Sequence, residues 1–196
     1  MRKIFDETVS ILKNSLDSID ENQFNKLLDE CEKTLREGAK IIVSGLGKNV
    51  PICDKFVGSM VSMGLSANFL HTNSAVHGDM GMVKSGDLVI ILTKSGSTSE
   101  SVYLAQLLQE REGVDLWLLT FSHKSVLVDM LGAEKCLILD LEHEGDLWNI
   151  MPNNSTTLNL IVLQTLAMKL ASRLDLQLEK DFKPNHPGGA IGEKLR

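Results

Sequence analysis

Asp87-Leu-Val-Ile-Ile-Leu92, followed without a break by Thr93-Lys94-Ser95-Gly96-Ser97-Thr98-Ser99-Glu100, is an aliphatic run, a turn of small hydroxyl residues and the opening of a helical pattern. A strand that feeds such a turn into a helix aims backbone N–H groups and the positive end of the helix dipole at one point. The hydroxyls of Thr93, Ser95, Ser97 and Thr98 add donors and acceptors around it, which makes a neutral cradle suited to a phosphate. The segment matches neither G-x-x-x-x-G-K-[ST] nor G-x-G-x-x-G, so a nucleotide is not the first ligand it suggests. Ser97-x-x-Glu100 reads equally as a capping box, in which the serine accepts from a helix N–H and the glutamate reaches back. Alone, the turn serves either purpose.

The flanking sequence sets this unit in a repeating strand–helix order. Upstream, apolar residues recur at helical spacing from Lys3 to Ile19 and again from Phe24 to Leu35, with cap chemistry at Asp20-Glu21-Asn22 between them and Gly38 placed to end the second helix. Ile41-Ile42-Val43 is then a short strand, Ile52 to Met63 a helix and Ala67 to Leu70 a second strand. Downstream of the serine turn come a helix ending near Gly113, the strand Leu116 to Thr120, a short helix from Val126 to Leu131 and the strand Cys136 to Leu139. Pro152-Asn153-Asn154-Ser155-Thr156 opens a long helix over Leu158 to Leu174, and the tail from Asp175 is polar. Five strands linked by helices predict an α/β fold with a right-handed parallel sheet. In such sheets ligands bind outside the carboxyl ends of the strands. The loops after strands one, two, three and five are therefore expected to meet, carrying Lys48, His71 to Asp79, the serine turn and Glu142 to Asn154.

Composition bounds the function. The 196 residues suit one domain of ordinary size, expected here as N-terminal helices over 1–38, an α/β core over 39–175 and a tail over 176–196. A formal charge of −6 disfavours a general nucleic-acid binder. No apolar run approaches membrane-spanning length and the N-terminus lacks a signal-peptide pattern, so the cytoplasm is expected, with no membrane partner. Cys31, Cys53 and Cys136 lie in apolar patterns without C-x-x-C spacing and read as buried reduced thiols.

Several residues could carry chemistry. Lys48 follows the glycine turn Ser44-Gly45-Leu46-Gly47, where an ammonium could meet a phosphate or a developing oxyanion, or simply be solvated. His77 lies in a glycine-flanked loop and could equally be structural. Glu142, His143, Glu144 and Asp146 follow the fifth strand, where burial could lift a carboxylate towards neutrality for acid–base work. Trp148, Ile150 and Met151 suggest that this loop is partly buried. His186-Pro-Gly-Gly is a lone histidine in a rigid turn with little to pack against. By type, His71, His77, Asp79 and Glu144 could ligate zinc, though no tight ligand pair is present.

Taken together, Gly45-Leu-Gly-Lys48, the serine turn, Pro152-Asn-Asn-Ser-Thr-Thr157, His77-Gly-Asp-Met-Gly-Met-Val83 and His186-Pro-Gly-Gly-Ala-Ile-Gly192 resemble the sugar isomerase (SIS) domain family. Within it they look like the arabinose 5-phosphate isomerases, almost continuously from Ile41 to Leu195. The resemblance implies a three-layer sandwich around a five-stranded parallel sheet, reversible interconversion of D-arabinose 5-phosphate and D-ribulose 5-phosphate, no organic cofactor or catalytic metal, and a homotetramer with sites near subunit contacts. The product would feed synthesis of lipopolysaccharide or capsule. Carried over by motif, the catalytic positions fall on Lys48, His77, Glu100, Glu144 and His186. The phosphate set is Ser44, Thr93, Ser95, Ser97 and Thr98, with Gly45, Asn154 and Ser155 as further substrate contacts. Longer members carry a pair of CBS domains, and a form without them is expected here. Gly47-Lys48-Asn49-Val50 and Thr72-Asn73-Ser74 depart from the family pattern beside the site. The implied chemistry is proton transfer between C1 and C2 through an enediol(ate), with Glu144 as base and Glu100 second. His186 and His77 would move protons on the oxygens, and Lys48 would stabilise the charge. The rivals are another SIS isomerase, acting on a hexulose or heptose phosphate, and a sugar-phosphate sensor without catalysis.

Overall fold

The computed structural model describes residues 1–195. Strands β1 (Ile41–Gly45), β2 (Ala67–Phe69), β3 (Leu88–Thr93), β4 (Asp115–Thr120) and β5 (Cys136–Ile138) form one parallel sheet in the order β2-β1-β3-β4-β5. The helices are α1 (Arg2–Asp17), α2 (Glu21–Arg36), α3 (Val50–Ser62), α4 (Thr72–Ala75), α5 (Ser99–Gln109), α6 (Val126–Leu131), α7 (Asn154–Arg173) and α8 (Gly189–Lys194).

The strands are aliphatic throughout because both faces are covered. Ile41, Val43, Leu88, Ile90, Leu92, Trp117 and Leu119 point into a core closed by α2, α3 and α7. Their alternating neighbours Ile42, Val89, Ile91, Leu116 and Leu118 point the other way, against residues of α4, α5 and α6. The result is the expected three-layer sandwich. Trp117 is fully buried, and its Nε1–H donates to Glu30 Oε2 at 2.6 Å, so its one polar atom is satisfied at the edge of the core. Leu70 and Leu139, read as strand residues, lie just past β2 and β5 but still donate to Val43 and Thr120 carbonyls at 2.9 and 2.8 Å.

The two N-terminal helices form where their periodicity predicts. Asp20 caps α2, its Oδ1 accepting from the N–H groups of Asn22 and Gln23, and Gly38 follows the helix at φ +79°. Leu12 and Leu16 of α1, with Ile19, pack on the core, while Ile4, Phe5 and Val9 are exposed. All three cysteines are buried and unpaired. Burial pushes the Cys136 thiol up to about 11 and the Cys53 thiol to about 12.

Two local expectations are corrected, and the tail has structure that its composition did not indicate. The helix after the serine turn starts at Ser99 with Thr98 as its cap, so the Ser97–Glu100 capping box does not form. The polar tail is folded: a π-helical turn (Leu178–Phe182), a 3-10 turn (Lys183–Asn185) and α8 follow α7, and Asn185 Nδ2 donates to Ser62 O at 3.3 Å, fastening the tail to the end of α3. The loop after β5 is partly buried at Glu144, but the apolar residues that suggested this are themselves exposed, with Leu147 at 87%, Trp148 at 71% and Ile150 at 74% of full exposure.

Candidate active site

The chain leaves β1 to one side for β2 and returns to the other side for β3, so the loops after β1 and β3 diverge and open a crevice above the sheet. A cavity of about 510 Å³ lies there, lined by Asn49 after β1, the turn from Thr93 to Thr98, Ser122 after β4, and Glu142 and Asn149 after β5. The expected contributor after β2 is replaced by the loop after β4. β2 is the edge strand, and its loop runs into α4, which packs against α5 instead.

The turn is held in one shape. Lys94 O accepts from Phe121 N and from Thr120 Oγ1, each at 3.2 Å, and Gly96 O accepts from Leu127 N at 3.0 Å. Gly96 has φ +62°, and a Cβ there would come within 2.1 Å of Ser125 Oγ, so no other residue fits. Thr98 Oγ1 is 3.4 Å from both Thr93 Oγ1 and Ser95 Oγ, placing three hydroxyls at the N-terminus of α5. Ser97 turns away, its Oγ accepting from Val126 N at 3.4 Å. Ser44, expected in the phosphate set, is fully buried and pairs with Thr72 Oγ1 at 3.0 Å. Neither lines the cavity.

Glu144 is fully buried. Its Oε2 accepts from Asn153 N at 3.0 Å and Ser155 N at 2.9 Å, two of the free N–H groups in the first turn of α7, and its Oε1 accepts from Lys94 Nζ at 2.6 Å. Burial on its own raises the Glu144 pKa. The Lys94 ammonium and the two backbone donors outweigh it and leave the carboxyl below its ordinary value. The expectation of a carboxylate lifted towards neutrality is therefore corrected, because Lys94 and the start of α7 supply donors that together exceed the effect of burial. Asn149, at φ +54°, accepts from Glu144 N at 2.7 Å, and Asn154 donates to His143 O at 2.9 Å. Asn154 and Ser155 thus hold the Glu144 loop and do not line the cavity.

The remaining sites are dispersed in the single chain. Lys48 is exposed in a 3-10 turn, next in sequence to the lining residue Asn49. Glu100 is exposed one residue before the lining Ser101; the Ser99 hydroxyl donates to it at 2.8 Å and lowers its pKa. His77 is exposed beside Gly78, away from the cavity. His186 stacks on Phe182 with ring centroids 3.9 Å apart, with Nε2 3.0 Å from Ser62 Oγ and Nδ1 2.8 Å from Phe182 O. Ser62 ends α3, whose thirteen residues run back from the crevice over roughly 20 Å, so His186 lies towards the opposite, amino ends of the strands. Nor do His71, His77, Asp79 and Glu144 converge as a zinc set: among the described residues no three acidic, cysteine or histidine side chains gather to hold a metal.

Several cavity residues escaped the sequence reading, Lys94, Asn49 and Asn149 among them. Lys94 was visible in the turn but unassigned, and it makes the cradle cationic rather than neutral. Asn49 donates to Leu92 O at 3.5 Å and accepts from Asn159 Nδ2 at 3.0 Å, tying the β1 loop to β3 and α7. Gly45 serves this contact, since a Cβ there would meet Asn49 Cβ at 2.8 Å. Its role is room for Asn49. Asn149 is legible only once the loop is folded.

Comparison with known proteins places this geometry. The SIS domain model matches residues 34–169, from the end of α2 through all five strands and most of α7. The arabinose 5-phosphate isomerase KdsD of Francisella tularensis is 34% identical over 189 residues, 96% of this chain and 55% of that protein. The Pseudomonas aeruginosa KdsD is 33% identical, over 96% of this chain and 56% of its own length. The chain thus spans about half the length of these curated relatives. Among solved structures, an E. coli CFT073 protein in complex with arabinose 5-phosphate superposes with a TM-score of 0.85 at 27% identity, covering 95% of each chain. A putative sugar-phosphate isomerase from Listeria monocytogenes has a TM-score of 0.86 at 22% identity, over 95% of this chain and 94% of that one, and shares the fold. Since the matched region holds the whole sheet and the loops that rim its crevice, the chain belongs to the SIS domain family.

Proposed function

We propose that the chain is an aldose–ketose isomerase that interconverts D-arabinose 5-phosphate and D-ribulose 5-phosphate. The observation that carries this reading is the cavity itself, with three hydroxyls, a helix N-terminus and Lys94 in one turn of its lining and Glu144 held behind Lys94. The identity to two arabinose 5-phosphate isomerases and the likeness to a protein holding arabinose 5-phosphate support the choice of substrate.

In this reading Thr93, Ser95, Thr98 and the free N–H groups of α5 hold the phosphate. A base takes the proton from C2 of the open-chain aldose, and the electron pair forms the C1–C2 double bond while charge moves to the C1 oxygen. A proton then adds at C1, the C1 oxygen takes a second, and the C2 hydroxyl loses its own, giving the ketose. Hydrogen moves within the substrate and no external oxidant is required. Glu144 is the proposed base, with Glu100 as the second choice, and Lys48 stabilises the enediolate. His77 and His186 move protons on the oxygens. Because His186 lies at the far end of the strands from its own crevice, it serves the site of a neighbouring protomer, and a homotetramer is the proposed assembly. The exposed apolar side chains of Ile4, Phe5, Val9, Trp148 and Ile150 suit such contacts. The protein works in the cytoplasm, supplying a sugar phosphate for lipopolysaccharide or capsule.

The test is NMR of the purified protein with arabinose 5-phosphate, ribose 5-phosphate and fructose 6-phosphate in parallel. Conversion of arabinose 5-phosphate to ribulose 5-phosphate is expected. Turnover of only one of the other sugars would replace the assignment.

A further inference from the structure

We infer that Lys94 is a phosphate-binding residue whose ammonium is shared between Glu144 and the ligand, so that anion binding uncovers Glu144. The inference rests on the proposed reading of the cavity as a sugar-phosphate site. Three observations carry it. First, Lys94 is the one cationic side chain among the described residues lining the cavity, whose wall also holds Glu142. A phosphate dianion entering beside Glu142 and the buried Glu144 requires a cation near it, or like-charge repulsion excludes it. Second, Lys94 follows Thr93 and precedes Ser95 in the same turn, so its stem starts among the hydroxyls that receive the phosphate.

Third, the two members of the pair differ in burial. The Glu144 side chain is fully buried, whereas that of Lys94 is 44% exposed. An ammonium carries three N–H donors, and the 2.6 Å contact with Glu144 Oε1 accounts for one, leaving others for a ligand. Glu144 also lies behind Lys94: the lysine lines the cavity and the glutamate does not. Glu144 Oε2 keeps its two α7 N–H donors whatever Lys94 does, so movement of Lys94 towards a phosphate frees Oε1 alone. That oxygen is then the atom available to accept a proton from the substrate. One side chain thus couples loading of the anion to exposure of the proposed base, and an unphosphorylated sugar would leave the base covered.

The test is a double-mutant cycle read by calorimetric titration of inorganic phosphate, which needs no turnover. Glu144→Gln releases Lys94 and removes a negative charge, so phosphate affinity is expected to rise by about threefold or more; adding Lys94→Met should then lower it by about tenfold or more, as expected for loss of a charge-assisted contact. Lys94→Arg in the Glu144→Gln background should recover most of the loss. Circular dichroism of each variant establishes that it is folded, and Lys94→Met/Glu144→Gln leaves no stranded buried charge. Equal phosphate affinity with and without Lys94, or an affinity that falls on Glu144→Gln alone, would overturn the inference. Phosphate binding with this pattern in a protein that does not isomerise arabinose 5-phosphate would instead remove the proposed function and leave the Lys94 assignment standing.

Discussion

Glu144 is buried, and three donors hold its charge, which gives a sign to the pH dependence of stability. Burial opposes the charged form, the Lys94 and backbone donors favour it more, and the folded pKa falls below the ordinary 4.5. A carboxylate depressed in this way contributes stability above its unfolded value, and the contribution disappears as pH falls through the folded value. Urea unfolding should therefore show the wild type more stable than Glu144→Gln at pH 7, by about 1–3 kcal/mol. The gap should close below pH 4.5. A gap that widens in acid would contradict the donor arrangement. In catalysis, Glu144→Gln should lower kcat by about a hundredfold or more while leaving substrate bound, which stopped-flow assay and calorimetry would separate. At Gly96 the added Cβ meets Ser125, so Gly96→Ala should cost about 1–3 kcal/mol; Gly47→Ala, at φ +57° but with nothing within 4 Å, should cost about 1 kcal/mol. Similar losses in denaturation would show that the turn is not packed as described.

At the scale of elements, period and punctuation were enough to find the sheet and most helices. Uninterrupted aliphatic runs such as Leu88–Leu92 can only be covered on both faces, and Asp20 and Gly38 mark real helix ends. Asp20→Ala should therefore cost about 1 kcal/mol in chemical denaturation, since it strands the first N–H groups of α2. What the sequence hid were contacts between elements. Ser97 looks like a cap until α6 offers Val126 N–H, and Ser44 looks like a ligand contact until α4 presents Thr72. Glu144 reads as a raised acid because composition locates the helix start nine residues on but not the fold of the loop that returns the carboxylate to it. The tail reads only as polar, because its anchor, the end of α3, lies more than a hundred residues away.

For the whole molecule, the proposed function requires Glu144 and His186, at opposite ends of the strands in one chain, to act in one reaction. If His186 acts in the neighbour's site, mixing inactive Glu144→Gln and His186→Ala protomers under subunit exchange should restore part of the activity, because some sites then receive one intact copy of each residue. Mixtures as inactive as their parents would confine the site to a single chain and remove His186 from it. The motif around His186 was legible in the sequence; its distance from the crevice was not, since spacing along a chain says nothing about which end of α3 a tail will reach. The most direct measurement is proton NMR of arabinose 5-phosphate and of arabinose incubated with the protein in deuterium oxide. Loss of the C2 proton signal of the phosphorylated sugar alone, with ribulose 5-phosphate appearing alongside, is the expected result; a C2 signal that persists, or equal exchange in both sugars, would contradict a phosphate-anchored enediol isomerase.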